Sequence, residues 1–173
     1  ELMEYLKSKK GVTGFGIEKN VQGILDCLEN DVPVVQRDLD ERGISDLKDG
    51  SFDYAIINRT IQEIRDPVAL LSQLTRIAKR VIVTFPNFGH WSARGSLMVH
   101  GRMPVSKELP YEWYDTPNIR VLTLKDFHTL CDKEGFKIET LNYQNDHRMS
   151  KLLTAFGLKN FGAEHVIATI SKK

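Results

Sequence analysis

The feature that most constrains the fold of this chain is an alternation of short apolar runs with stretches whose apolar residues recur at helical spacing. Residues 12–17, 32–35, 52–57 and 81–84 read as strands. Ahead of them, Leu2, Met3 and Leu6 predict the tail of a helix that stops at Gly11. Between the strands, Asn20 can cap a helix with Val21, Ile24, Leu25 and Leu28 on one face. Asp66-Pro67 opens another, whose inner stripe is Leu70, Leu71, Leu74, Ile77 and Ala78. Strand, helix and strand in series imply a parallel sheet with right-handed crossovers.

The last third changes character. Thr123 and Asp126 form the pattern of a capping box before Phe127, Leu130 and Cys131, and Gly135 ends that helix. Residues 136–141 and 165–170 then read as two strands pairing antiparallel at the sheet edge, joined by a polar link with a short helix near residues 151–156. The predicted architecture is a doubly wound α/β fold with a mostly parallel sheet and an antiparallel edge strand near the C-terminus. At 173 residues the chain suits a single domain, 1–173.

In such sheets ligands bind beyond the carboxyl ends of the strands, so chemistry is sought in the residues just after each one. Glu18 ends its strand, where an acid can accept from the two hydroxyls of a ribose; a helix N-terminal acid favoured by the dipole explains it equally well. Asp38 follows the next strand and can accept from an exocyclic amine while Leu39 lies against a ring, although Asp is common in any turn. Gly14 and Gly16 do not make a phosphate loop, because Lys19 stands where the third glycine belongs. A helix tail before the Glu18 strand implies an earlier strand and a glycine-rich turn upstream of this chain.

Residues 86–118 form the most unusual stretch. They hold four of the six prolines and bring Phe88, Trp91, Tyr111, Trp113 and Tyr114 among polar residues. A connection this long and aromatic reads as a lid or binding segment, against the alternative of a surface loop stapled down by its own aromatic cluster. Tyr, Trp and Arg dominate interface hot spots, so Trp91, Arg94, Arg102, Tyr111, Trp113 and Tyr114, with Asn87, Phe88 and His90, are candidates for binding a partner or an acceptor. His90 and Asp115 are weak candidates for a catalytic base, and a lone histidine is more often structural.

Several function classes are disfavoured. Lys plus Arg number 24 against 23 Asp plus Glu, with no long basic run, so nothing asks for nucleic acid. No apolar stretch approaches the ~20 residues that span a bilayer, and the first residues lack the order of a signal peptide. The expected location is cytoplasmic. Cys27 and Cys131 sit in helical patterns as small hydrophobes, without metal-ligand spacing, and no metal is expected.

The strings GFGIEKN, VVQRDLDE, GSFDYAIINRTIQEIRDP, RVIVTFPNFGHW and GRMPVSKELPYEWYDTPNI, with the following LTLKDF, resemble the MetW family of methionine biosynthesis proteins, within the class I S-adenosylmethionine-dependent methyltransferases. The resemblance implies a Rossmann-like fold and S-adenosylmethionine as cofactor. It places the ribose-binding acid on Glu18 with Lys19 beside it, the adenine contacts on Asp38 and Leu39, and the methionine end against Asn58, Arg59 and Thr60. The superfamily's glycine-rich loop would precede Glu1. The resemblance also implies a role as partner or activator of homoserine O-acyltransferase; the alternative is a methyltransferase acting on an unidentified acceptor held under the 86–118 segment. A nicotinamide-dependent oxidoreductase shares the acid on Glu18 and is disfavoured by the two terminal strands.

Overall fold

The computed structural model describes residues 2–106 and 109–173. The chain divides into two compact units, one running up to Asp46 and the other Leu47–Lys173.

In the first unit, helix α1 (Leu2–Lys10) ends at Gly11, whose φ of +63° is the left-handed turn that stops it. Strand β1 (Gly16–Glu18), helix α2 (Val21–Glu29) and strand β2 (Val34–Gln36) follow, and β1 and β2 pair in parallel with Glu18 opposite Gln36. Asn20 caps α2 by accepting from the Gln22 N–H at 2.8 Å. Both strands are shorter than their apolar runs. The apolar face of α2 is not an inner one, for Val21, Leu25 and Leu28 are exposed and no α2 residue is buried. A two-stranded ladder three residues long is too narrow to cover it.

The second unit carries a four-stranded sheet in the order β3 (Phe52–Asn58), β4 (Ala78–Pro86), β6 (His165–Lys172), β5 (Phe136–Gln144). Strands β3 and β4 are parallel, joined by a 3₁₀ turn (Ile61–Glu63) and helix α3 (Pro67–Ile77), which Asp66 caps through the Ala69 N–H. The last two strands pair antiparallel as expected, but the reversed strand is not the outermost one: β6 enters between β4 and β5. Composition explains this. Val166, Ala168 and Ile170 of β6 are wholly buried, whereas FKIETLNYQ of β5 carries the polar residues an edge tolerates.

The core lies between this sheet and helices α3 and α5 (Leu124–Glu134). Val81, Val83 and Phe85 alternate inward from β4, the Phe85 ring stands 4.9 Å from Phe127 of α5, and Leu71 of α3 is completely buried. The capping box on α5 is present in both directions, and Gly135 ends the helix at φ +72°.

The 86–118 stretch is not one long connection. Helix α4 (Trp91–His100) occupies its first part and stops at Gly101 in the left-handed conformation. Gly95 and the β-branched Val99 dilute the helical signal, so propensity alone does not show it. Helices α6 (Arg148–Ala155) and α7 (Lys159–Gly162) fill the link between β5 and β6.

Candidate functional site

In the first unit, Glu18 and Asp38 stand at the carboxyl ends of neighbouring parallel strands, tied together by the Arg37 N–H donating to the Glu18 carbonyl at 2.9 Å. Glu18 Oε1 accepts from the Lys19 and Asn20 N–H groups at 2.8 and 2.7 Å, which fixes the carboxylate over the first turn of α2. Gly23 makes room for it: a Cβ there would lie 3.0 Å from Glu18 Cγ. Asp38 Oδ1 accepts from Asp40 N–H at 2.8 Å, and the half-buried Leu39 follows. Arg37 braces this turn by gripping Asp46 with two nitrogens, at 2.5 and 2.7 Å.

A carboxylate offers about four lone-pair sites. The two N–H bonds to one Glu18 oxygen therefore leave the other able to take a diol, and Asp38 keeps its second oxygen in the same way. Lys19 is exposed beside Glu18.

In the second unit, Asn58 ends β3 and Arg59 and Thr60 follow it. Thr84 of β4, which sequence reasoning did not single out, organises them. Its hydroxyl donates to Asn58 Oδ1 at 2.7 Å and accepts from the Arg59 N–H at 3.0 Å. Arg59 adopts φ +54°, a conformation costly for a side chain with a Cβ. Gln62, buried at 4% exposure, holds it there through its side-chain amide, which donates to the Arg59 carbonyl at 2.6 Å, while the Gln62 backbone carbonyl accepts from the Ile119 and Arg120 N–H groups. Thr60 donates back to the Asn58 carbonyl at 3.0 Å. The turn is thus pinned on both sides, and its Asn58 and Arg59 side chains are exposed.

The aromatic segment separates into inward and outward residues. Asn87 faces inward, which corrects its reading as a contact residue. Its amide donates to the Asn160 and Ala163 carbonyls and accepts from the Gly89 and Leu124 N–H groups, so all its bonding capacity serves the fold. His90 is also buried, and this removes it from candidacy as an exposed catalytic base. Phe88 is half-buried and Trp91 lies with its ring 5.3 Å from that of His90.

His90 belongs to a polar network under α4 and α6. Its Nε2 is 2.9 Å from the Ser150 hydroxyl, and its Nδ1 is 2.7 Å from that of Ser92. Ser150 is fully buried, as is the Glu164 carboxylate to within 4%. Glu164 accepts from the Asp146 N–H at 2.9 Å and from the His147 N–H and Nδ1 at 3.1 and 2.9 Å. Burial alone would raise its pKa, but donation from Ser150, from these backbone groups and from the His147 ring outweighs it and holds the carboxyl down to about 2. With its hydroxyl donating to Glu164, Ser150 accepts from Trp91 Nε1 at 3.4 Å and from His90 Nε2, so the His90 ring carries a hydrogen on Nε2. Serine, histidine and glutamate here are not a nucleophilic triad. The serine is out of reach of solvent, and the acid lies 4.0 Å from the same nitrogen that faces it instead of orienting Nδ1.

Facing outward are Trp113 and Tyr114, 73% and 71% exposed and packed edge to face at 5.8 Å. They do not staple the loop. Tyr111 is exposed too, and Asp115 lies in the exposed turn that follows. Arg102 and Trp113 line a groove of about 900 Å³ with Met103, Val105 and His100. Arg94 lies on α4, its Nε donating to the Gly89 carbonyl at 2.6 Å.

The family profile described as "Methionine biosynthesis protein MetW" matches residues 1–170. A curated relative, "Bifunctional methionine biosynthesis protein MetXA/MetW" of Rhodopirellula baltica, is 33% identical over 125 residues, 72% of this chain. The match spans about a fifth of that relative, 20% of its length. Among solved structures, a SAM-dependent methyltransferase from Archaeoglobus fulgidus superposes with TM-score 0.67 at 15% identity, covering 96% of this chain and 79% of the other. One from Thermotoga maritima gives 0.64 at 19%, covering 98% and 76%. At these identities the likeness concerns the fold, and that fold is the methyltransferase-like α/β one.

Proposed function

This chain belongs to the MetW family of methionine biosynthesis proteins, and on that premise we propose that it acts as a partner or activator of a homoserine O-acyltransferase, built on an S-adenosylmethionine-binding fold. The observation that carries the reading is the MetXA/MetW relative, in which a stretch like this one shares a chain with a MetXA part. Covalent linkage raises effective concentration to about the millimolar range, a gain that matters when the parts work on each other. Methyltransferase neighbours spanning 98% of the chain support reading 1–173 as one domain.

Cofactor roles are assigned residue by residue. Glu18 would hold the ribose, with Lys19 beside it. Asp38 and Leu39 would take the adenine, and Asn58, Arg59 and Thr60 the methionine end. Each unit supports its own share by itself: in the first the fixed carboxylates suit a ribose and an exocyclic amine, and in the second Thr84 holds the turn that exposes Asn58 and Arg59. When bound, S-adenosylmethionine supplies an activated methyl; Glu18, Asp38 and the Asn58–Thr60 turn would hold and orient it.

A methyltransferase with an unidentified acceptor is the second reading, favoured by the fold of the neighbours. Its acceptor would lie against the Arg102 and Trp113 groove, and catalysis would be mainly alignment. Asp115 remains as a candidate base, since His90 is buried.

Calorimetric titration of the acyltransferase and, separately, of S-adenosylmethionine into the protein tests both. Binding of the acyltransferase supports the partner, and a cofactor-dependent affinity makes the protein a sensor. Cofactor binding without partner binding favours the methyltransferase. In the same assay Glu18→Ala is expected to weaken S-adenosylmethionine by about 1.5–3 kcal/mol, the worth of a charge-assisted hydrogen bond. Unchanged affinity removes Glu18 from the site.

A further inference from the structure

The outward faces of α4, α6 and α7 make one continuous surface. At the start of α4, Trp91 Nε1 reaches Ser150 of α6 at 3.4 Å, and the Arg94 guanidinium lies 5.4 Å over the Phe161 ring of α7. Met98 continues that stripe, four residues beyond Arg94 and seven beyond Trp91, and is 84% exposed. On α6, Met149 and Leu152 line up with Phe156 at the C-cap, at i, i+3 and i+7, and Phe156 is 76% exposed. The surface is rigid, because α7 sits so close to α6 that a Cβ on Gly162 would fall 2.6 Å from Leu153 Cβ. Contiguous exposed apolar area on ordered helices marks an interaction site.

The charge of this surface is one-sided. Residues 91–106 and 147–163 carry Arg94, Arg102, Arg148, Lys151 and Lys159 and no Asp or Glu, in a chain with 24 basic and 23 acidic residues. The acids next to these stretches are Asp146 and the buried Glu164 on either side of the second, and Glu108 and Glu112 after the first, Glu112 lining the groove beside Arg102. This decides between occupants. A second copy related by a two-fold axis would set the same basic groups against each other, which disfavours self-association. A lipid surface suits a long amphipathic helix or a dense basic run, whereas α6 has 8 residues and α7 has 4.

We propose that the α4–α6–α7 face docks on an apolar patch rimmed by Asp and Glu on the acyltransferase. This rests on the partner reading above and extends it to α6 and α7, beyond the aromatic segment. Met98 and Phe156 fill apolar pockets, and the basic residues steer and align the encounter.

The test measures acyltransferase affinity by calorimetry for the wild-type chain, Met98→Asp, Phe156→Asp and the double variant Arg148→Glu/Lys151→Glu, at low and high salt. Thermal melting of each confirms folding; all these side chains are exposed, so little change is expected. Each variant should weaken binding by about tenfold or more, and wild-type affinity should fall as salt rises. Failure of the wild-type chain to bind overturns the partner reading and this proposal with it. Binding by the wild-type chain that all three folded variants retain overturns the docking face alone. Two further controls do the same if the substitutions abolish them while acyltransferase affinity stays intact: pelleting with phosphatidylcholine/phosphatidylglycerol vesicles, and dimer formation by light scattering.

Discussion

Replacing Glu164 by Gln perturbs a buried acid held by four hydrogen bonds. Its carboxylate accepts from the Asp146 N–H, the His147 N–H and Nδ1, and the Ser150 hydroxyl, all in a buried position. A glutamine must turn an NH₂ toward at least one of these donors. That leaves a buried N–H without a partner, at about 1–3 kcal/mol, and converts charge-assisted bonds to neutral ones. The carboxyl itself gives a second route to the magnitude. Held at about 2 in the fold against the ordinary 4.5, it contributes about 3 kcal/mol at neutral pH. Because the folded pKa is the lower one, this stabilisation is complete above about pH 5 and is lost as pH falls toward about 2. Denaturant unfolding followed by the fluorescence of Trp91 and Trp113, both in the same unit as Glu164, should show Glu164→Gln less stable by about 3 kcal/mol at pH 7. The gap should shrink steadily below pH 5 and nearly close at pH 2. A gap that stays constant with pH, or one below about 1 kcal/mol at pH 7, refutes the reasoning.

Three other outcomes follow from single groups. Asn87→Ala strands the Gly89 and Leu124 N–H groups and two carbonyls, so it should cost about 2–4 kcal/mol, visible as a drop in melting temperature. Thr84→Val removes the hydroxyl that pins Asn58 and Arg59. It should cost only about 1 kcal/mol of stability, yet weaken S-adenosylmethionine measurably by calorimetry; unchanged affinity separates this turn from the cofactor. Burial pushes the Cys131 thiol up to about 11, so a thiol reagent at pH 8 should label Cys27 in the native protein and Cys131 only after denaturation.

The class of fold was legible because local signals agreed. Asn20, Asp66, Thr123 with Asp126, and Gly135 all cap the helices that their sequence context predicts, and the helical stripe of α3 is buried as its spacing implies. Such features depend on a few neighbouring residues, so a linear reading finds them. Helix α4 escaped because Gly95 and Val99 weaken its intrinsic preference, and contacts distant in sequence, Trp91 to Ser150 and Arg94 to Phe161, support it instead. The inner and outer members of the aromatic segment were equally hidden: nothing local distinguishes Asn87 and His90, which turn inward, from Trp113 and Tyr114, which do not.

The strand ends that carry Glu18, Asp38 and Asn58 were therefore fixed by sequence alone, as apolar runs followed by polar residues. The tertiary structure decided what those residues lean on. Thr84 reaches Asn58 only because β4 pairs with β3 in register, and Glu164 meets Ser150, His147 and His90 only when β6 inserts beside β4 and carries its start under α6. Hydrogen bonds between groups far apart in the chain have no local signature, since their partners are chosen by packing.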